Sequence, residues 1–412
     1  MITILTIFLL LLSLTSTIVL RNSPLSLLLL LIASNRSTDG PLVVCAIGIT
    51  LLLQCLFMDI FKKHRIFWFI AVLFLSYHVA IFIFKPYDIH YSFFVSYINA
   101  FMMFLFTLAI NWDREKLTKF TQAYMFVLLI LGFLEFIFIN PPRIAGPLVF
   151  ATLYAVVLVT VWTIWVTENI LNSGYSKIII VTAFVFLAIL LSGARMGLIG
   201  VVLGLFLSGI SKNLVENFNK PFMTKIASGI IFFICLFMLI IIVWQLVPND
   251  MIIKKTFNMM LSMKLDGSNL GRVITWITAI KIIPEHTMWG VGPHNFDVYL
   301  GQIAQSYNLP PVYHTLGHAH NLFLIVLTEL GVSGFIVIGS IVFLCMFKLF
   351  YYILKGTQNS VVYAIVNGFI VMMLLGMFDG TPLTLGTLCF GGWLMGISLY
   401  FSFFEKPRST SC

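Results

Sequence analysis

Apolar runs of about 15 to 25 residues follow one another along nearly the whole chain, parted by short polar breaks; a helix needs about this length to cross roughly 30 Å of hydrocarbon. The pattern predicts an all-α, polytopic integral membrane protein of about 12 transmembrane helices, near residues 2–20, 41–58, 66–84, 91–110, 120–138, 148–169, 177–192, 196–210, 226–247, 319–347, 361–378 and 384–403. The run Pro24–Ala33 is too short to span comfortably and reads as a re-entrant or half helix. Residues 1–412 read as a single transmembrane domain. Its one sizeable extramembrane piece is the loop Pro248–His318, which carries short amphipathic helices.

Composition agrees. With 60% hydrophobic and 9% charged residues, no water-soluble surface can be built. Met1–Leu20 lacks a basic n-region and a small-residue cleavage site, so it reads as a retained span. Cys45, Cys55, Cys235, Cys345 and Cys389 lie inside apolar runs and no CxxC occurs, so neither a disulfide framework nor a thiolate metal site is expected. The net charge of +9 changes the picture only through its distribution. The breaks Lys62–Arg65, Arg114–Lys119, Lys177, Lys212–Lys225, Lys348–Lys355 and Lys406–Arg408 carry 14 of the 24 basic residues, and all fall on one side of a twelve-span count. By the positive-inside rule that side is the cytoplasm, where both termini then lie, and Pro248–His318 faces the periplasm. Membrane lipids are the expected surroundings, and nucleic acid is not an expected partner.

Five of the eight histidines, His286, His294, His314, His318 and His320, fall in or at the end of that loop, which marks it as the place for chemistry. Three patterns refine this. Leu191-Ser192-Gly193-Ala194-Arg195-Met196-Gly197 sets one arginine at the membrane boundary, as a lipid anchor or as a substrate ligand. Asn269-Leu270-Gly271-Arg272 runs on to Ile283 and Pro284 with apolar residues at 273, 274, 277, 280 and 283. That spacing predicts a short amphipathic helix on the membrane, capped by Asn269, with Arg272 in the first turn where an anion such as a diphosphate would be held. The plain alternative is a surface arginine. His318-Ala319-His320-Asn321 stands where the loop re-enters the membrane, and a histidine there can serve as a general base near neutral pH. No acid or thiol stands at ligand spacing beside the pair, so neither a metal nor a cofactor is expected.

At these residues the chain resembles the O-antigen ligase family, the group that also holds Wzy-type polymerases and bacterial protein O-oligosaccharyltransferases. His320-Asn321, nine residues, Gly331, two residues and Gly334 follow the family's histidine motif; the turn at Arg195 and the region of Arg272, Trp276 and Pro284–Gly292 are similar to its arginine regions. The resemblance covers roughly residues 145–335 and implies a glycan donor on undecaprenyl diphosphate and a lipid A–core or glycan acceptor. It further implies Arg195 and Arg272 as diphosphate ligands, His320 as the base and His318 as its support. Possible substrate contacts are His294, His314, Trp276 and Asn321. Ligation of O-antigen to lipid A–core is the leading expectation; a polymerase acting on lipid-linked repeats is the alternative within the family. A lipid-linked sugar flippase or transporter is the alternative of another class, although few acids stand mid-span and no inverted repeat is evident.

The topology has a direct test. Cysteines introduced at Ser268 and Asn308 should react with a membrane-impermeant thiol reagent in intact spheroplasts; labelling only after lysis would reverse the orientation.

Overall fold

The computed structural model describes residues 2–18, 23–36, 46–47, 49–51, 53–54, 91–139, 141, 145, 151–172, 175–216, 267–292, 295–307, 310, 318–378 and 385–403. The described elements are helices, and no strand occurs among these residues. In chain order they are α1 (Ile2–Ile18), α2 (Ser23–Arg36), α3 (Tyr91–Ala109), α4 (Arg114–Ile139), α5 (Ala151–Asn172), α6 (Tyr175–Ser192), α7 (Arg195–Glu216), α8 (Gly267–Glu285), α9 (Phe296–Ser306), α10 (Leu322–Leu354), α11 (Ser360–Phe378) and α12 (Leu385–Phe403). Five helical stretches among them are long and apolar enough to cross a membrane: α4, α5, α7, α10 and Ser360–Met377 of α11. The expected spans at 66–84 and 226–247, and most of 41–58, lie outside the described residues. The run Pro24–Ala33 forms the short helix α2, which packs on α1 with Leu27, Leu30 and Leu31 buried.

The chain divides into two compact units: residues 1–111, 265–346 and 376–400, and residues 112–264, 347–375 and 401–412. In the second unit α5 is the central helix. Every residue from Leu153 to Glu168 is buried, as an all-round apolar helix must be, and α4, α6 and α7 pack around it. The face that α7 turns to α5 and α11 is made of Gly197, Gly200, Gly204 and Ser208; a Cβ on Gly204 would come within 2.5 Å of Thr163 Oγ1, so only glycine permits this approach. A directed relay of hydrogen bonds ties the helices. Asn367 Nδ2 of α11 donates to Thr167 Oγ1 at 3.1 Å, the Thr167 hydroxyl donates to Ser208 Oγ at 2.7 Å, and Ser208 donates to the Gly204 carbonyl at 2.7 Å. At one end Asp113 caps α4 by accepting the Lys116 N–H at 2.8 Å, the bond that holds its carboxyl below the usual range, and Arg114 pairs with Glu168.

In the first unit, Ser13 and Ser26 join α1 to α2 at 2.8 Å, and Gln54 Nε2 donates to both hydroxyls. The defining feature is a break in α10. Gly331 has φ 68° and ψ −171°, so the Val332 and Ser333 N–H groups cannot reach the Thr328 and Glu329 carbonyls as a continuous helix requires. The turn after α8 supplies all four missing partners. Val291 N–H donates to Thr328 O at 2.8 Å and Gly292 N–H to Glu329 O at 2.9 Å, while Val332 N–H donates to Thr287 O at 2.8 Å and Ser333 N–H to Met288 O at 3.1 Å. Ser333 Oγ adds a 2.6 Å bond to Met288 O. The two backbones lie so close that a Cβ on Gly331 would be 2.5 Å from Met288 O, and one on Gly290 (φ 70°) 2.5 Å from Glu329 O. Trp289 of the same turn packs against a cluster of Tyr97 of α3 and Val326 and Leu330 of α10, on which Leu388 of α12 also packs.

Gly331→Ala should therefore destabilise the protein by at least about 3 kcal/mol, from a left-handed non-glycine residue plus disrupted buried hydrogen bonds. Gly339→Ala, in the same helix with nothing within 4 Å of its added Cβ, is the control and should be neutral or mildly stabilising in detergent melts. Equal melting of the two variants would refute the clamp.

Candidate active site

Asn321 fixes the start of α10. Its Oδ1 accepts the N–H groups of Phe323 at 3.0 Å and Leu324 at 3.1 Å, and its Nδ2 donates to the Met377 carbonyl of α11 at 2.8 Å. Both ends of the amide are thus committed to protein, and Asn321, singled out as a possible substrate contact, is a helix cap that positions its neighbours. The helix accordingly begins at Leu322, so His320 stands just outside it and does not start it. His320 has φ 47°, the only positive φ among the described non-glycine residues, and its N–H donates to His318 Nδ1 at 3.1 Å. The two rings lie 4.2 Å apart, tilted by 51°. Because His318 Nδ1 accepts this bond, the proton of a neutral His318 sits on Nε2. Left-handed backbone at a non-glycine residue is strained and persists only where neighbours hold it.

Ala319, between the histidines, is buried in one core with Ala279 and Ile282 of α8, Val291 of the clamp, Phe296 and Leu300 of α9 and Ile325 of α10. This core joins the histidine turn to the arginine helix. Trp276 and Arg272 precede Ala279 by one and two turns of α8, roughly 4.5 and 10.5 Å along the axis. The buried face of α8 is Thr275, Thr278, Ala279 and Ile282, and the opposite stripe, Leu270, Val273, Ile277 and Ile280, is apolar and 40 to 61% exposed. Arg272 and Trp276, both half-buried, lie on the flank between the two, and the Trp276 indole N–H is buried without a hydrogen-bond partner among the described residues.

One expectation about α8 needs correction. The helix begins at Gly267, so Asn269 lies within it and is not its cap, and Arg272 falls in the second turn, beyond the free N–H groups of the helix start. Arg195, in the other unit, is the arginine that opens a helix. Gly193 (φ 65°) makes the tight turn from α6, Ser192 Oγ accepts the Ala194 N–H at 3.3 Å, and Arg195 is the half-buried first residue of α7. His294 and His314 lie outside the described residues. His286, not singled out beyond its place in the cluster, meets the Tyr299 ring edge-on at 5.0 Å.

A helical chain with five membrane-length apolar helices among its described residues defines a membrane protein. Residues 180–339 match the family model described as O-antigen ligase, so this stretch, from α6 into α10, is an O-antigen ligase family domain. The match encloses Arg195, Arg272, both histidines and the clamp. Members are glycosyltransferase-like enzymes that act on lipid-linked glycans. No curated protein matches the chain in sequence.

Proposed function

We propose that the protein transfers a glycan, at the periplasmic face of the bacterial inner membrane, from undecaprenyl diphosphate to an acceptor hydroxyl, and that the reaction is ligation of O-antigen to lipid A–core. The observation that carries the reading is the histidine turn. A general base must be held where the proton will be, and His320 is held by its N–H bond to His318, by the Asn321 cap and by burial of Ala319 beside it. His320 takes the proton of the acceptor hydroxyl as that oxygen bonds to the anomeric carbon. The bond from this carbon to the diphosphate oxygen breaks, and its electron pair leaves with undecaprenyl diphosphate. One displacement inverts the anomeric carbon.

Negative charge builds on the departing oxygen, and Arg195 and Arg272 are the groups suited to stabilise it, each guanidinium offering two parallel donors. Trp276 adds an indole donor that has no partner among the described residues. The exposed apolar stripe of α8 supports a location at the membrane interface, where a lipid-linked substrate is met. The division between base and leaving-group stabilisers requires no metal.

Two sets of variants test the assignment with purified lipid-linked donor in the presence of chelator, beside wild type assayed with and without it. His320→Ala should lower transfer by about 10²–10⁴, and His318→Ala by less; a larger loss in His318→Ala exchanges the roles, and loss on adding chelator alone removes the metal-free mechanism. Arg195→Lys and Arg272→Lys keep the charge and lose the fork, so both should lose most activity at normal protein levels. Full activity in both would leave them as lipid anchors. Product formed on a second lipid-linked repeat, with none on lipid A–core, would make the enzyme a polymerase.

A further inference from the structure

α10 is longer than a membrane is thick. Its 33 residues rise about 50 Å, roughly 20 Å more than the hydrocarbon layer, whereas the part after the break, Val332–Leu354, rises about 34 Å and suffices alone. The two parts also differ in surface. No residue of Leu322–Leu330 is exposed, but beyond the break an outward stripe of Ile336, Gly339, Ser340 and Phe343 begins. The clamp that meets the break contains Thr287 and follows directly on Glu285, both exposed, and an exposed carboxylate is strongly disfavoured in hydrocarbon.

α8 arrives at the break with an outward stripe of its own. Leu270, Val273, Ile277 and Ile280 cover about 15 Å of helix, too little to cross a membrane. Arg272 and Trp276 border the stripe on one side. Lys281 borders it on the other, with Nζ 4.2 Å from the centre of the Tyr307 ring and hydrogen-bonded to its hydroxyl. Cations and amphipathic aromatics along both edges of an apolar face match the phosphates at the rim of a leaflet, with the stripe itself in the acyl chains.

We propose that the hydrocarbon boundary of the bilayer runs along the α8 stripe and crosses α10 at Gly331. Leu322–Leu330 and the histidine turn then stand outside the hydrocarbon, and the span begins at Val332, not near residue 319. Ala319 belongs to the core on the face of α8 opposite the stripe, so the histidines lie about one helix diameter, roughly 10 Å, above the boundary. The headgroup layer beneath them is about 5–7 Å deep. For the transferase reading, on which this placement does not depend, that is the level of the first sugar on a membrane-anchored diphosphate.

The test uses the unmodified full chain in nanodiscs, so no variant has to fold. One sample is photolysed with a diazirine dissolved in the hydrocarbon, another is treated with a water-soluble carbodiimide and an amine, and both are read residue by residue by mass spectrometry. Carbene label should appear on Val273, Ile277 and Ile280 at levels within about fivefold of those on Ile336 and Phe343, as for an apolar face sunk into the acyl boundary. The carbodiimide should modify Glu285 as readily as Glu115, an exposed carboxylate of α4. Loss of carbene label from the α8 stripe overturns the proposal. So does a Glu285 modified only after the nanodiscs are dissolved in detergent, because the break would then lie within the hydrocarbon.

Discussion

A membrane helix cannot be broken without giving its freed backbone groups new partners, because an unsatisfied N–H or C=O away from water costs several kcal/mol. The break at Gly331 frees two carbonyls and two N–H groups, and the turn from Thr287 to Gly292 engages all four in the same order. This exchange draws the end of α8 against α10 so closely that neither Gly290 nor Gly331 can carry a side chain. The remainder of the candidate site depends on it. It fixes one end of the arginine helix, and the core from Ala279 to Ala319 sets the lateral packing of that helix on the histidine turn.

The short piece of α10 before the break has its own stop. Asn321 caps it and, through Met377, ties it to the end of α11, so Leu322–Leu330 is held at both ends. A histidine placed immediately before such a cap inherits that rigidity. The left-handed φ of His320 is the strain that remains once the cap, the buried Ala319 and the bond to His318 have each set their geometry. The family match over residues 180–339 spans both the break and the histidines. Within that stretch Gly331 serves the backbone, because its positive φ and the close approach of Met288 leave room for no side chain.

The second unit shows the same economy of means without a reactive cluster among its described residues. Small residues on α7 let it approach α5, and the relay from Asn367 to Gly204 satisfies every hydroxyl it contains. Arg195 opens α7 in this unit, at a turn that needs the positive φ of Gly193.

The membrane class, the helical character of the described residues and the family matched by residues 180–339 were legible in the sequence. Span length and apolar composition are properties of a continuous stretch, set by the thickness of hydrocarbon, and the motif spacing is linear. The sequence did not disclose that Gly331 breaks a helix, because the partners that permit the break lie some forty residues away at Thr287–Gly292. Nor did it disclose that both ends of the Asn321 amide are used, since one partner is Met377. The start of α8 was misjudged at Asn269 because a cap-forming residue type does not cap unless the chain before it leaves the helix. Which faces of α8 and α9 turn outward was decided only by packing: the same apolar periodicity serves a helix that buries its stripe and one that exposes it, and only the neighbouring Ala319 core distinguishes the two.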